Sequence, residues 1–243
     1  MTALLEIDGL NKRFGGIRAL SDCSFSVAQG SITALIGPNG SGKTTAFNII
    51  TGYLKFDSGR IAFAGHTVNQ PDPAALYRGG LSRTFQQARI FPDLSVEENL
   101  IVASGCSWKS LFGARLTADD RFLASQMLEE FRLSSLAKLP AGQLSYGQRK
   151  LLEFAAVLMS KPKLVLLDEP TAGVNPAMIN TMEHHIRARN QEGVTFLIVE
   201  HDMQLVMRLC DPVIVLNRGT TIAQGAPGKV QSDPAVLEAY LGD

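Results

Sequence analysis

Gly37-Pro38-Asn39-Gly40-Ser41-Gly42-Lys43-Thr44-Thr45 lies between an apolar run, Ile32 to Ile36, and a helical pattern with Ile49, Ile50, Tyr53 and Leu54 on one side. The order is strand, glycine loop, helix start. Gly37, Gly42, Lys43 and Thr44 have the G-x-x-x-x-G-K-[ST] spacing of a phosphate-binding loop. Glycines let backbone N–H groups close around phosphate oxygens with no Cβ in the way, and a helix N-terminus adds partial positive charge. Lys43 can then reach the outer phosphates, and the Thr44 hydroxyl is offered to Mg²⁺.

The 243 residues fit one large domain or two small ones, and 45% apolar content is ample for a packed core. Lys+Arg 23 against Asp+Glu 23 leaves no net charge, and so no global field to hold nucleic acid or an anionic membrane. Cys23, Cys106 and Cys210 are widely spaced and contain no C-x-x-C, which argues against a disulfide framework or a zinc site. Residues 1–6 lack the basic and apolar regions of a signal peptide, and no run of 18 apolar residues occurs anywhere. Any membrane role would then pass through a partner.

Outward from the loop, residues 4–35 suggest short strands: Leu4 to Ile7, Ile17 to Leu20 and Cys23 to Val27. Phe14 sits in the first connection, either covering a sheet edge or free to stack on a ligand. A strand is expected from Arg60 to Phe63 and a short helix after Pro71-Asp72-Pro73. From about residue 88 strand signals vanish until about 164. Ser95 with Glu98 makes a capping box, Thr117 with Asp120 a weaker one, and Leu123, Met127 and Phe131 form one apolar stripe. This predicts a helical insertion over 88–160 in an α/β domain, with a loop at Gly105 to Gly113 that holds Trp108.

Lys163 to Leu167 is a near-continuous apolar run ending in Asp168-Glu169-Pro170, as in a parallel strand buried on both faces. Ligands sit at the carboxyl ends of such strands. Unpaired carboxylates there are costly. Mg²⁺ would compensate Asp168, leaving Glu169 to orient or deprotonate a water. Val194 to Val199 is a second such strand, ending in Glu200-His201-Asp202. The rest reads as a helix over 203–209, a hairpin over 213–223, and a capped helix from Ser232. Ser145 and Gln148 in Leu144-Ser145-Tyr146-Gly147-Gln148 form a capping box before a helix over Arg149 to Leu158. The same N–H groups suit an anion, and pattern alone does not choose between the two.

The phosphate loop, Leu-Ser-Tyr-Gly-Gln and Leu-Leu-Asp-Glu-Pro, in this order, resemble the nucleotide-binding subunit of ATP-binding-cassette (ABC) transporters over essentially the whole chain. The resemblance implies a P-loop core with a parallel sheet, an N-terminal antiparallel β subdomain and an inserted helical subdomain. The core and β subdomain would span 1–87 and 161–243, with the helical part over 88–160. It implies ATP and Mg²⁺ as ligands. ATP would be bound by Gly37, Pro38, Asn39, Gly40, Ser41, Gly42, Lys43, Thr44 and Thr45, with Phe14 stacked on adenine. Ser145, Gly147 and Gln148 would contact the γ-phosphate held by another subunit, so that two ATP are sandwiched in a head-to-tail dimer. Thr44, Gln86 and Asp168 would serve the metal. Glu169 would be the catalytic carboxylate and His201 the switch histidine, working with Lys43 and Gln86. Ala172-Gly173-Val174-Asn175 resembles the loop that crosses the dimer interface.

Two positions depart from the commoner pattern: Tyr146 replaces a glycine, and Asn175 stands where many members have aspartate. With Arg83-Thr84-Phe85-Gln86 and the closing Ala239-Tyr240-Leu241-Gly242, they resemble ATPases of branched-chain amino-acid importers. Urea and amide importers and the lipopolysaccharide export ATPase share much of the pattern. The implied setting is cytoplasmic, on the inner face of the membrane through permease subunits, with a solute-binding protein acting indirectly and no nucleic acid expected. Docking is expected between Gln86 and Phe91 to Asn99. A soluble ABC ATPase working on nucleic acid or the ribosome is the competing class, and a P-loop kinase would not need the Ser145 segment. His184-His185 lack a third metal ligand, and Lys12-Arg13 and Arg149-Lys150 are expected to be solvated charge pairs.

Overall fold

The computed structural model describes residues 2–69, 71–86, 88–104 and 118–241. The expected loop with Trp108, along with Cys106, Thr117 and Gly242, lies outside them.

Two sheets form the frame. A six-stranded sheet has the order β10-β9-β3-β8-β7-β6, where β3 is Ile32–Ile36, β6 Leu81–Arg83, β7 Leu164–Asp168, β8 Thr195–Val199, β9 Val213–Asn217 and β10 Thr220–Gly225. β9, β3, β8, β7 and β6 run parallel, and β10 returns antiparallel on β9. The second sheet, order β2-β1-β4-β5, is antiparallel, with β1 Ala3–Phe14, β2 Ile17–Ala28, β4 Ser58–Phe63 and β5 His66–Thr67.

β3, β7 and β8 are buried at every position, which is why they carry continuous apolar runs rather than alternation. Their period of two still divides them between two cores. Leu35, Leu164, Leu166, Leu197, Val199, Ile214 and Leu216 face the antiparallel sheet and Ala46, Phe47, Ile49 and Ile50 of α1 (Lys43–Ile50). Ala34, Ile36, Val165, Leu167, Phe196, Ile198, Val213 and Val215 face the remaining helices. These include α3 (Val96–Ala103), α4 (Ala118–Glu130), α5 (Tyr146–Met159), α6 (Pro176–Gln191) and α7 (Met203–Leu209). α2 (Pro73–Arg78) is capped by Asp72, and α8 (Pro227–Gln231) and α9 (Pro234–Leu241) close the described chain.

Several expectations are corrected. The short strands expected before residue 28 are two strands of 12 residues each, kept continuous by irregularities at Gly9 (φ 59) and Asp22 (φ 51). There Gly9 N donates to Ser24 Oγ, and Asp22 N donates to Asn11 Oδ1. β6 and α8 gave no sequence signal, and the helix expected from Arg149 begins at Tyr146.

The Ser95 capping box forms, and the expected stripe packs through Met127 and Phe131 with Ala124 and Leu128 beside them. Phe131 stacks on His185 of α6 with centroids 4.0 Å apart and an interplanar angle of 14°. His185 is buried; Glu130 Oε1 lies 3.5 Å from its Nδ1, and burial raises the Glu130 carboxyl itself. Burial, helped by His184, Arg189 and Arg132, pulls the imidazole pKa from 6.5 down to about 4. A folded pKa below the unfolded one means that between these values the unfolded chain binds more protons. The contribution is therefore full above pH 6.5 and lost as pH falls toward 4. Denaturant midpoints followed from pH 7 downward should fall less steeply for His185→Phe, which keeps the ring stack, than for wild type. Equal slopes would remove His185 as the cause.

Candidate nucleotide site

Because five strands are parallel, their carboxyl ends share one edge. β3 runs into Gly37, β6 into Thr84 and Gln86, β7 into Asp168 and Glu169, and β8 into Glu200 and His201. The loop at Gly37 requires glycine. It has φ 150, and a Cβ there would lie 2.1 Å from the Leu216 carbonyl oxygen. Gly42 (φ 104) caps α1 in a left-handed conformation, with the Ala19 carbonyl 2.6 Å from where its Cβ would be. β2 and the turn after β9 thus close on the loop, and Gly219 N donates to Ser41 O at 2.9 Å.

Lys43 is buried, and its Nζ donates to Gly37 O at 2.7 Å and Pro38 O at 3.0 Å. Desolvation lowers its pKa, opposed by the Glu169 and Asp168 carboxylates. Asn39, Gly40 and Thr44 are exposed, so the mouth of the loop and the first turn of α1 face outward. The Tyr240 phenol from α9 meets the Gly37 backbone, so the closing segment touches the loop.

Asp168 is buried, and the cation beside it is Arg83, whose Nη2 donates to Asp168 Oδ2 at 2.7 Å. Arg83 Nη1 also donates to Asn48 Oδ1 at 2.7 Å and Thr51 Oγ1 at 3.1 Å. The expectation that Asp168 needs a metal to offset its burial is thereby modified: a guanidinium already pairs with it. Glu169 adopts φ 48, uncommon for a residue with a Cβ and a form of strain that gathers at functional sites. Its carboxylate bridges two elements: Gln86 Nε2 donates to Oε2 at 3.1 Å, and His201 Nε2 lies 3.1 Å from Oε1. The expected residues Gln86, Glu169 and His201 therefore meet in one hydrogen-bonded chain.

Lys150 overturns the expectation of a solvated pair. It is buried, and Nζ donates to Glu169 O at 3.3 Å. Arg149, half-buried, donates from Nη1 to Leu144 O. Lys12 pairs with Asp57 at 2.8 Å and stands 5.5 Å from the ring centroid of Phe14, which is half exposed at the end of β1.

Ser145 Oγ accepts from Gln148 N, and Gln148 Oε1 accepts from Ser145 N. No hydrogen bond among the described residues joins 145–148 to 37–45 of the same chain. Tyr146 lies in the first turn of α5, and a Cβ on Gly173 (φ 72) would be 3.3 Å from its ring. The large residue is therefore seated against the glycine of the Ala172-Gly173 turn. Asn175 caps α6, accepting from Met178 N at 2.9 Å, a role aspartate would fill equally.

Sequence reasoning missed Arg83 and Lys150 as site residues. It also missed two buried carboxylates. Glu153 Oε1 accepts from Phe85 N and Arg89 N, both at 3.1 Å. Glu200 accepts from Thr171 N and Oγ1 and from His201 N. Glu153 had one available signal, a charge inside the apolar run Leu151-Leu152-Glu153-Phe154.

A glycine loop cradled by β3 and α1, facing strand-end carboxylates, a glutamine and a histidine, defines the class: a P-loop ATPase cassette. The ABC transporter family model matches residues 20–172, and a model described as a branched-chain amino acid ATP-binding cassette transporter matches residues 220–243. The chain is 37% identical to the high-affinity branched-chain amino acid transport ATP-binding protein BraF of Pseudomonas aeruginosa, over 99% of this chain and 98% of that one. It is 38% identical to LivG of Escherichia coli K12, a protein with the same description, over the same shares. The crystal structure of the ADP conformation of MJ1267, an ATP-binding cassette of an ABC transporter, matches all of both chains at 38% identity and a TM-score of 0.89. The chain belongs to the ABC transporter family, as an ATP-hydrolysing subunit that powers membrane transport.

Proposed function

We propose that this subunit drives uptake of branched-chain or other hydrophobic amino acids. The observation that carries the substrate class is the likeness, over nearly the whole chain, to relatives named for branched-chain amino acid transport, joined by the matching family model at residues 220–243. Urea, amide or lipopolysaccharide transport are the alternatives that the test below separates.

In this reading Gly37 to Thr45 wrap the ATP phosphates, and Lys43 leaves the Gly37 and Pro38 carbonyls for the outer phosphates. Phe14 stacks on adenine, and its exposed ring suits that. Thr44 and Asp168, whose Oδ2 Arg83 holds, would supply hard oxygen donors of the kind that suits Mg²⁺, and Gln86 would serve the metal with them. Mg²⁺ would neutralise charge developing on the phosphate oxygens. Glu169, held between Gln86 and His201, orients the attacking water and takes its proton, and His201 senses the γ-phosphate. Ser145, Gly147 and Gln148 close on the nucleotide of a second ATPase subunit.

Among the described residues no helix is long and apolar enough to cross a membrane. From the likeness to transport ATP-binding proteins we place the protein on the inner membrane face through permease subunits, with a solute-binding protein acting indirectly. A cavity of about 250 Å³, lined by Tyr53, Tyr77, Ala103 and others, includes Phe85 and Arg89 on either side of Gln86, and we take it as the place where a permease helix docks. Asn99 braces the neighbouring segment by bonding Phe91 N, Phe91 O and Ser95 O. The division into 1–87 with 161–243 and a helical 88–160 belongs to the same proposal.

The test is ATP turnover of the complex, reconstituted with its permease subunits and binding protein in vesicles. Leucine, isoleucine or valine should raise turnover several-fold, while urea, short amides and lipopolysaccharide should not. Stimulation by one of those instead would overturn the substrate class.

A further inference from the structure

We infer that Glu153 and Lys150 are positioning residues, one face of α5 that holds the Gln86 loop and the Glu169 backbone in register with each other and with the Ser145 cap. The inference rests on the proposed roles of Gln86 and Glu169 and adds to them the part that sets their separation.

The geometry is specific. Glu153 Oε1 accepts from Phe85 N and Arg89 N, which bracket Gln86 on either side. A single oxygen thus pins both ends of the loop. One turn earlier on the same helix, Lys150 Nζ donates to Glu169 O. Residues three apart on a helix share a face. That face is therefore bonded to Phe85 and Arg89, on either side of Gln86, and to the Glu169 backbone, while the Gln86 and Glu169 side chains meet at 3.1 Å. The helix begins at the Ser145 cap, so a displacement of the cap along α5 is carried to both.

Both side chains are buried, at 3% exposed for Lys150 and 4% for Glu153, where ordinary surface charges do not sit. Burial pushes the Glu153 carboxyl up, against the two donated N–H bonds and Lys150; it pushes the Lys150 ammonium down, against Glu153, Asp168, Glu169 and Glu200. Packing does not require ions at these places, since Leu151, Leu152 and Phe154 supply the apolar contact. Among the described residues Glu153 is the acceptor that Phe85 N and Arg89 N find, and Lys150 adds a second donor to Glu169 O, which also accepts from Ala172 N at 3.2 Å. Arg89, whose N–H Glu153 accepts, also lays its guanidinium 3.6 Å from the centroid of the Phe85 ring, so the loop is closed on itself around this carboxylate.

The test is steady-state ATP turnover of the assembled transporter, with Glu153→Gln and Glu153→Asp compared. The glutamine carbonyl oxygen can accept both N–H groups, so Glu153→Gln should keep kcat within about twofold. Aspartate keeps the charge but is one methylene short. It should lower kcat about tenfold with KM for Mg-ATP nearly unchanged, since small misplacements of reacting groups cost heavily. Adding Glu153→Asp to Gln86→Ala should produce no further loss. The reverse order, with aspartate tolerated and glutamine not, would show that charge rather than acceptor geometry matters and would overturn the inference. Full additivity with Gln86→Ala would overturn it too. Failure of the underlying reading is distinguishable, because it would appear as normal turnover in Glu169→Gln whatever Glu153 does.

Discussion

Glu169→Gln should lower steady-state ATP turnover at least about 100-fold while leaving ATP affinity within about threefold of wild type. The substitution is nearly isosteric and acts at one function. A glutamine side chain can still meet Gln86 and His201, so the hydrogen-bonded chain through Oε2 and Oε1 has a replacement at both ends. It cannot take a proton from water. Lys43 and the loop are untouched, so the nucleotide still binds. With hydrolysis blocked the ATP-bound dimer should accumulate, visible as a doubled mass on gel filtration with ATP and absent with ADP. Wild-type turnover would remove Glu169 from the chemistry and leave its positive φ as a turn requirement.

How much of this site was open to reading depended on what kind of physics specifies each part. The Gly37 loop and the ends of β7 and β8 announce themselves, because a strand buried on both faces must be apolar throughout and a phosphate cradle must be glycine-rich. Elements specified by neighbours did not. β6 is three residues, Leu81-Ser82-Arg83, and is a strand only because Leu81, Ser82 and Arg83 pair with Leu164, Val165 and Leu166 of β7. Charged side chains defeated the reading most. Arg83, Lys150 and Glu153 look like surface residues until the fold places a carboxylate, a carbonyl or two N–H groups beside them. His185 shows the same effect in a helix. Its ring is an aromatic partner for Phe131, which a titratable side chain does not advertise.

The Ser145 segment demands a test that separates its two functions, because its capping box is a complete structural account in one chain. Ser145→Ala removes the cap and should cost α5 about 1 kcal/mol, a loss readable as a lowered denaturant midpoint. That effect stays with the mutated molecule. The catalytic effect should not. In a dimer whose sites each combine one subunit's phosphate loop with the other's Ser145 helix, Ser145→Ala and Lys43→Ala homodimers each carry two defective sites. A mixed dimer concentrates both defects in one site and leaves the other intact. Equal mixing makes half the dimers mixed, so with independent sites the preparation should recover about one quarter of wild-type turnover, from parents that each lose at least about tenfold. If each site were built within one chain, every site in the mixture would carry one defect and nothing would be recovered. Turnover no higher than the mean of the two parents would therefore confine Ser145 to capping α5. Recovery would assign it to the partner's γ-phosphate, and the absence, among the described residues, of any hydrogen bond from 145–148 to 37–45 of the same chain is the arrangement such a division of labour requires.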